Sequence, residues 1–253
     1  MVKSAVVKVK KLVKKYDNKK VVDGVSFSIA QGEIFGILGP NGAGKTTTLE
    51  MIEGLRLIDA GEAYIDGINV ATHPTDIRYR IGVQPQSPAF QDKTKAVEVL
   101  DMFAAAYGVK SSSHDLLQKV SLLDKASTYT EQLSGGQLQR LSIAAALVHS
   151  PKVLFMDEPT TGLDPQARRN IWELVKSIKA NGVTVVLTTH YMEEAELLCD
   201  RVAIMDKGVV IAVDTPQILV EQLLMRGFKK KRQVNQANLE DVFIDLTGKE
   251  LRD

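Results

Sequence analysis

The chain reads as an α/β protein: a largely parallel sheet with helices on both faces, interrupted by a helical insertion. Three observations predict this. Residues 152–156 and 183–188 are continuous apolar, β-branched-rich runs, the composition of strands buried on both faces. Each run is followed by a stretch of helical composition, Pro165–Ala180 and Met192–Leu198, and such alternation implies parallel pairing. Between these elements and the N-terminal strands, the pattern over about 95–148 is helical instead.

The elements follow in order. Residues 6–13 and 21–29 are predicted strands of an N-terminal antiparallel β subdomain, separated by polar residues 17–20. In the second strand, Val25-Ser26-Phe27-Ser28-Ile29 alternates as one buried face requires. Residues 33–38 form a short apolar strand running into a glycine-rich loop, and the helix predicted over 46–53 stops at Gly54. A hairpin over 62–70 turns at Asp66-Gly67. In the insertion, Ala96–Tyr107 and 137–148 are the clearest helices. Residues 201–213 form another hairpin around Asp206-Lys207-Gly208, and 225–238 is a polar, basic linker. The expected organisation is one domain over 1–224, the insertion at about 91–148, and a linker and tail over 225–253.

Composition narrows the function. With 253 residues, 44% hydrophobic and 25% charged, the chain can bury a sizeable core. A formal charge of +1 argues against nucleic-acid binding driven by bulk charge. Cys199 is the sole cysteine, so no internal disulfide forms, and the four histidines show no metal-ligand spacing. Residues 1–20 lack the apolar stretch of a signal peptide, and no apolar run approaches the roughly 18 to 20 residues that span a bilayer. A soluble protein is expected, with any membrane role borrowed from a partner.

Two motifs carry the chemistry. Gly39-Pro40-Asn41-Gly42-Ala43-Gly44-Lys45-Thr46 fits the P-loop pattern between a predicted strand and a predicted helix. The glycines let consecutive N–H groups face phosphate oxygens, Lys45 reaches the β- and γ-phosphates, and the Thr46 hydroxyl suits Mg²⁺. This pattern alone does not separate kinases, GTPases and transport ATPases. Residues 153–158 place Asp157 and Glu158 at the end of a buried strand, beside the P-loop in a parallel sheet. Asp157 would hold Mg²⁺, and Glu158 would polarise an attacking water.

Leu133-Ser134-Gly135-Gly136-Gln137 discriminates further. Ser134 has the character of a helix N-cap, and the glycines expose N–H groups at a second helix start. Together with the P-loop and the acidic strand end, these residues resemble the signature set of ABC ATPases, over almost the whole chain. The resemblance implies a P-loop NTPase (RecA-like) core and an ATP-hydrolysing subunit that uses ATP and Mg²⁺. It implies nucleotide contacts from Tyr16 at the adenine and from Gly39, Asn41, Gly42, Ala43, Gly44, Lys45, Thr46 and Thr47 at the phosphates. Ser134, Gly136 and Gln137 would meet the γ-phosphate held by an opposite subunit. Catalysis would fall to Glu158 and His190, and metal binding to Thr46, Gln86 and Asp157, with Gln84 a neighbouring competitor for the glutamine role. Thr161-Gly162-Leu163-Asp164 resembles the loop where subunits touch, although many members carry Ser-Ala in place of Thr-Gly.

The implied partners are a second ATP-binding subunit, expected as a homodimer, and an integral membrane permease, with no nucleic acid. The implied place is the cytoplasmic face of the cell membrane. Ala237-Asn238-Leu239-Glu240-Asp241-Val242-Phe243 and Leu246-Thr247-Gly248 resemble the C-terminal end of drug-resistance and ABC-2-type export ATPases. Importer subunits often carry a larger regulatory domain after the cassette, for which no room is expected here. An ABC translation factor would carry two cassettes, and a chromosome ATPase a long coiled coil. The insertion here is short and has no heptads.

Overall fold

The computed structural model describes residues 4–17, 19–110 and 112–228, with Val242, Asp245 and Leu246. β1 (Ala5–Tyr16) and β2 (Lys19–Ala30) pair antiparallel in a long hairpin. The hairpin extends to Tyr16↔Lys19, beyond its apolar part, because ladder bonding continues where the side chains are solvated. β3 (Ile34–Leu38) leads through the glycine-rich loop into α1 (Lys45–Glu53). β4 (Ala60–Ile65) and β5 (Ile68–Asn69) turn at Asp66-Gly67, and α2 (Pro74–Arg78) precedes β6 (Ile81–Gln84). The helical stretch contains α3 (Ala96–Tyr107), α4 (Ser113–Lys119), two short 3₁₀ turns and α5 (Gly135–Leu147). Then come β7 (Val153–Asp157), α6 (Pro165–Ala180), β8 (Thr184–Thr189) and α7 (Met192–Leu198). β9 (Arg201–Asp206), β10 (Val209–Asp214) and α8 (Pro216–Met225) follow.

The strands form two sheets. One is antiparallel, in the order β2-β1-β4-β5; the other runs β10-β9-β3-β8-β7-β6, parallel throughout except for the edge strand β10. Strand periodicity divides the core of the second sheet. Phe35, Ile37, Phe155, Val186 and Met205 pack towards α1 and the antiparallel sheet, while Leu38, Leu154, Met156, Leu187 and Ile204 pack towards α3, α5, α6 and α7. Where α7 leaves the sheet, the buried Cys199 fills the space above Gly36: a Cβ there would lie 2.7 Å from Cys199 Sγ. Burial pushes that thiol well above its ordinary pKa.

Parallel register determines the site. Asp157 pairs with Thr188, Leu38 with Thr189, and Gln84 with Met156, so β3, β6, β7 and β8 all end on one side of the sheet. Near α8, Val242 is 3% exposed and Leu246 packs on the core that holds Leu219 and Leu223, while Arg226 pairs with Asp245 at 3.3 Å. Residues 229–238 of the basic linker, and Leu239 and Phe243 of the C-terminal motif, lie outside the described residues.

Candidate active site

The loop after β3 is shaped for anions. Gly44 sits at φ +98° as the residue before α1, in the left-handed region, and a Cβ there would lie 2.6 Å from the Val21 carbonyl oxygen. No side chain caps α1, so its first N–H groups face the loop's hollow. Lys45, 4% exposed, donates to the Gly39 and Pro40 carbonyls at 2.9 and 3.2 Å. Its Nζ also lies 3.2 Å from Glu158 Oε1.

Asp157 ends β7 opposite this loop. It accepts hydrogen bonds from Thr46 Oγ1 at 3.2 Å and from Thr188 Oγ1. Burial raises its pKa against the pull of those two hydroxyls, with the neighbouring Glu158 adding to the rise. Oxygen donors grouped this way suit a hard cation, and Mg²⁺ ordinarily takes one or two carboxylates with substrate phosphates rather than a full protein cage. Among the described residues no cluster of three or more His, Cys, Asp or Glu forms such a cage.

Glu158 follows at φ +46°, a left-handed conformation unusual for a non-glycine residue and therefore strained. Its N–H donates to Thr188 Oγ1 at 3.0 Å, which fixes that turn. The carboxylate is surrounded. Oε2 accepts from Thr161 Oγ1 at 3.1 Å and from Gln86 Nε2 at 3.4 Å. His190 Nδ1 lies 3.2 Å from the same oxygen without hydrogen-bond alignment. Burial pushes the Glu158 pKa up, but Lys45, His190 and the hydrogen bonds from Lys45 and Thr161 outweigh it, leaving the group below its ordinary value.

The fold thus gathers Lys45, Thr46, Gln86, Asp157, Glu158 and His190 from the ends of three strands and the start of one helix. It separates the two glutamines. Gln84 is fully buried in β6, with Nε2 on the Pro85 carbonyl, whereas Gln86 lies past the strand end and reaches Glu158. Thr188 escaped the sequence reading, although a polar residue ending a buried apolar strand needs a partner.

Asn41, Gly42 and Ala43 belong to the loop itself and Thr47 to α1, whereas no hydrogen bond or ion pair among the described residues joins Tyr16, Ser134, Gly136 or Gln137 to this cluster. Tyr16 is 38% exposed and its hydroxyl takes a hydrogen bond from Arg56. Ser134 caps α5 reciprocally: its Oγ accepts the Gln137 N–H at 3.3 Å, and Gln137 Oε1 accepts the Ser134 N–H at 2.8 Å. Gly136 lies close on α6, where a Cβ would stand 3.0 Å from Ala167 Cβ.

Comparison with known proteins agrees with this geometry. The family description "ABC transporter" matches residues 22–161. The Nod factor export ATP-binding protein I of Burkholderia pseudomallei is 38% identical over 292 residues, covering 95% of this chain and 96% of that protein. The linearmycin resistance ATP-binding protein LnrL of Bacillus subtilis is 43% identical over 215 residues, 83% of this chain and 69% of that one. Among solved structures, an ATP-binding subunit of an ABC transporter superposes with a TM-score of 0.83 at 30% identity, covering 96% of this chain and 99% of its own. A dimeric ATP-binding cassette in a post-hydrolysis state, bound to ADP and Pi, superposes with a TM-score of 0.75 at 29% identity, covering 83% and 98%. With this family match, these identities and this shared fold, the chain belongs to the ABC transporter family as an ATP-binding, ATP-hydrolysing subunit.

Proposed function

We propose that two copies of this chain close head to tail around ATP, hydrolyse it, and so drive an integral membrane permease in the direction of export. The relatives named for Nod factor export and linearmycin resistance support the direction. The permease would hold the subunit at the cytoplasmic face of the membrane. The cassette would span 1–224, with its helical insertion at about 91–148 and a linker and tail beyond.

One observation carries the chemistry: Glu158 is pinned by Thr161, Gln86, Lys45 and His190 at the mouth of the phosphate loop. When a γ-phosphate engages Lys45, the ammonium turns from Glu158 to the phosphate and frees Oε1. The carboxylate, ionised at neutral pH, then accepts the proton of an attacking water. His190 orients the same group and faces the γ-phosphate. Thr46, Asp157 and Gln86 would hold Mg²⁺, which when bound neutralises charge on the β- and γ-phosphates. Tyr16 would stack on adenine, while Ser134, Gly136 and Gln137 of the second copy would close over the γ-phosphate. Glu158→Gln keeps the shape and removes the base. It should slow turnover by ~10²–10⁴-fold while ATP still binds, and gel filtration with ATP should show a dimer. Wild-type turnover in that variant would overturn the assignment.

A further inference from the structure

Behind the site lies a second carboxylate that the mechanism above does not use. Glu194, on α7, is fully buried. Its Oε1 accepts from Thr160 Oγ1 at 2.8 Å and from Trp172 Nε1 at 3.0 Å, and the Thr189 hydroxyl, next to His190, also acts on the carboxylate. Burying a carboxyl group is costly, and burial raises the pKa of this one, so the position needs a compensating reason. Thr189, Thr160 and Trp172 together offset part of that cost, and their three segments meet at this one carboxyl group.

Those donors come from the walls of the catalytic cluster. Thr160 and Thr161 are adjacent, yet their hydroxyls diverge: Thr160 Oγ1 reaches inwards to Glu194, and Thr161 Oγ1 reaches the Glu158 carboxylate at 3.1 Å. Glu194 also lies four residues after His190 on the segment that turns from β8 into α7. That turn is tied to Glu194 through the Thr189 hydroxyl and has further support. The Tyr191 N–H donates to Thr189 Oγ1 at 3.0 Å, the Tyr191 ring lies 4.1 Å from that of His190, and the Arg168 guanidinium sits 4.5 Å above Tyr191. Arg168 and Trp172 both belong to α6, the helix that begins directly after residues 160–164.

We infer that Glu194 is a positioning residue that locks the loop at Thr160-Thr161 to α6 and to the His190 turn, so that Glu158 and His190 move together when that loop is displaced. This rests on Glu158 being the base. It assigns Glu194 no contact with nucleotide. A structural role alone predicts lost stability; a positioning role predicts lost turnover at retained ATP affinity.

The protein carries its own reporter. Trp172 is the only tryptophan in the chain, and its indole N–H is bonded to Glu194. Thr160→Val and Glu194→Ala should each lower kcat roughly ten- to a hundredfold, as small misplacements at a reacting centre do, with KM for ATP changed less than about twofold. The double variant should be no worse than Glu194→Ala alone, since that variant already removes the bond that Thr160→Val deletes. Glu194→Gln keeps an acceptor and should restore most of kcat. In Glu158→Gln, ATP should shift Trp172 emission, and adding Thr160→Val should abolish the shift. Wild-type kcat in Thr160→Val, an additive double variant, or emission indifferent to ATP would overturn the inference. The emission signal needs nucleotide binding but not hydrolysis, so it tests Glu194 even if Glu158 proves not to be the base.

Discussion

The chain contains two glycine-flanked helix starts, and they are finished differently. At α1 no side chain caps the helix, Lys45 is buried against the loop carbonyls, and two carboxylates stand opposite. At α5, Ser134 and Gln137 satisfy each other in a capping box and both flank solvent. Orphan N–H groups and a helix dipole attract anions at either end. Only at α1 does the surrounding structure leave those groups uncapped while supplying a buried cation. The first start has the uncapped donors and the buried cation that a phosphate would need; the second is a helix end that its own side chains already satisfy.

The largest effects should separate the two. Lys45→Ala removes the buried cation and should weaken ATP binding by at least roughly a hundredfold, since charge-assisted contacts are worth ~1.5–3 kcal/mol each. Ser134→Arg should leave ATP affinity of the single chain within a few-fold but abolish most turnover, by placing a bulky cation where a partner's γ-phosphate would sit. Equilibrium binding and steady-state hydrolysis on both variants decide it. Equal loss of affinity would break the distinction.

A smaller effect tests the other end of α1, which closes on a buried acid that α5 does not have. Glu53 is raised from 4.5 to about 8, by burial first and then by Asp157 and Glu50. Across that window the folded chain keeps a proton that the unfolded chain has lost, so stability must fall as pH rises from about 4.5 to about 8. Glu53→Gln should flatten this slope and gain about 2 kcal/mol or more at pH 9, a rise of roughly 4–8 °C in Tm. Thermal melts at pH 5 and pH 9 measure it; a variant with the wild-type slope would reject the burial.

The smallest effect sharpens the account of α5. Ser134→Ala deletes the cap and should cost ~1 kcal/mol, with ATP affinity of the single chain unchanged. A loss of that affinity would mean that α5 contributes to the cradle in its own chain.

Much of this was legible in the residues. The phosphate loop and acidic strand end are contiguous runs whose chemistry depends on local backbone, and so they read directly. The Ser134 cap is also local. Gln86 is preferred to Gln84 by resemblance alone; the residues themselves do not show why, because the deciding fact is where β6 stops. That strand has four residues, one of them glycine, too few for a periodicity to emerge. α8 goes unassigned although Thr215 and Pro216 mark its start: the segment falls between the hairpin read over 201–213 and the linker read from 225, and it is a single short helix. Glu194 was unreadable for a different reason. Its partners Thr160 and Trp172 come from β7's loop and from α6, so only the assembled fold reveals that the charge is inside.

The packing of Cys199 over Gly36 has a practical consequence. A thiol that is sealed in the core and held protonated reacts slowly with alkylating probes. The natural sequence is therefore already suited to site-directed labelling without first removing a cysteine. A single cysteine introduced at an exposed position outside the site, such as Arg169 on α6, would be the one reactive thiol per protomer. Spin labels there would measure the separation of two protomers directly, with and without ATP, in a protein otherwise unaltered.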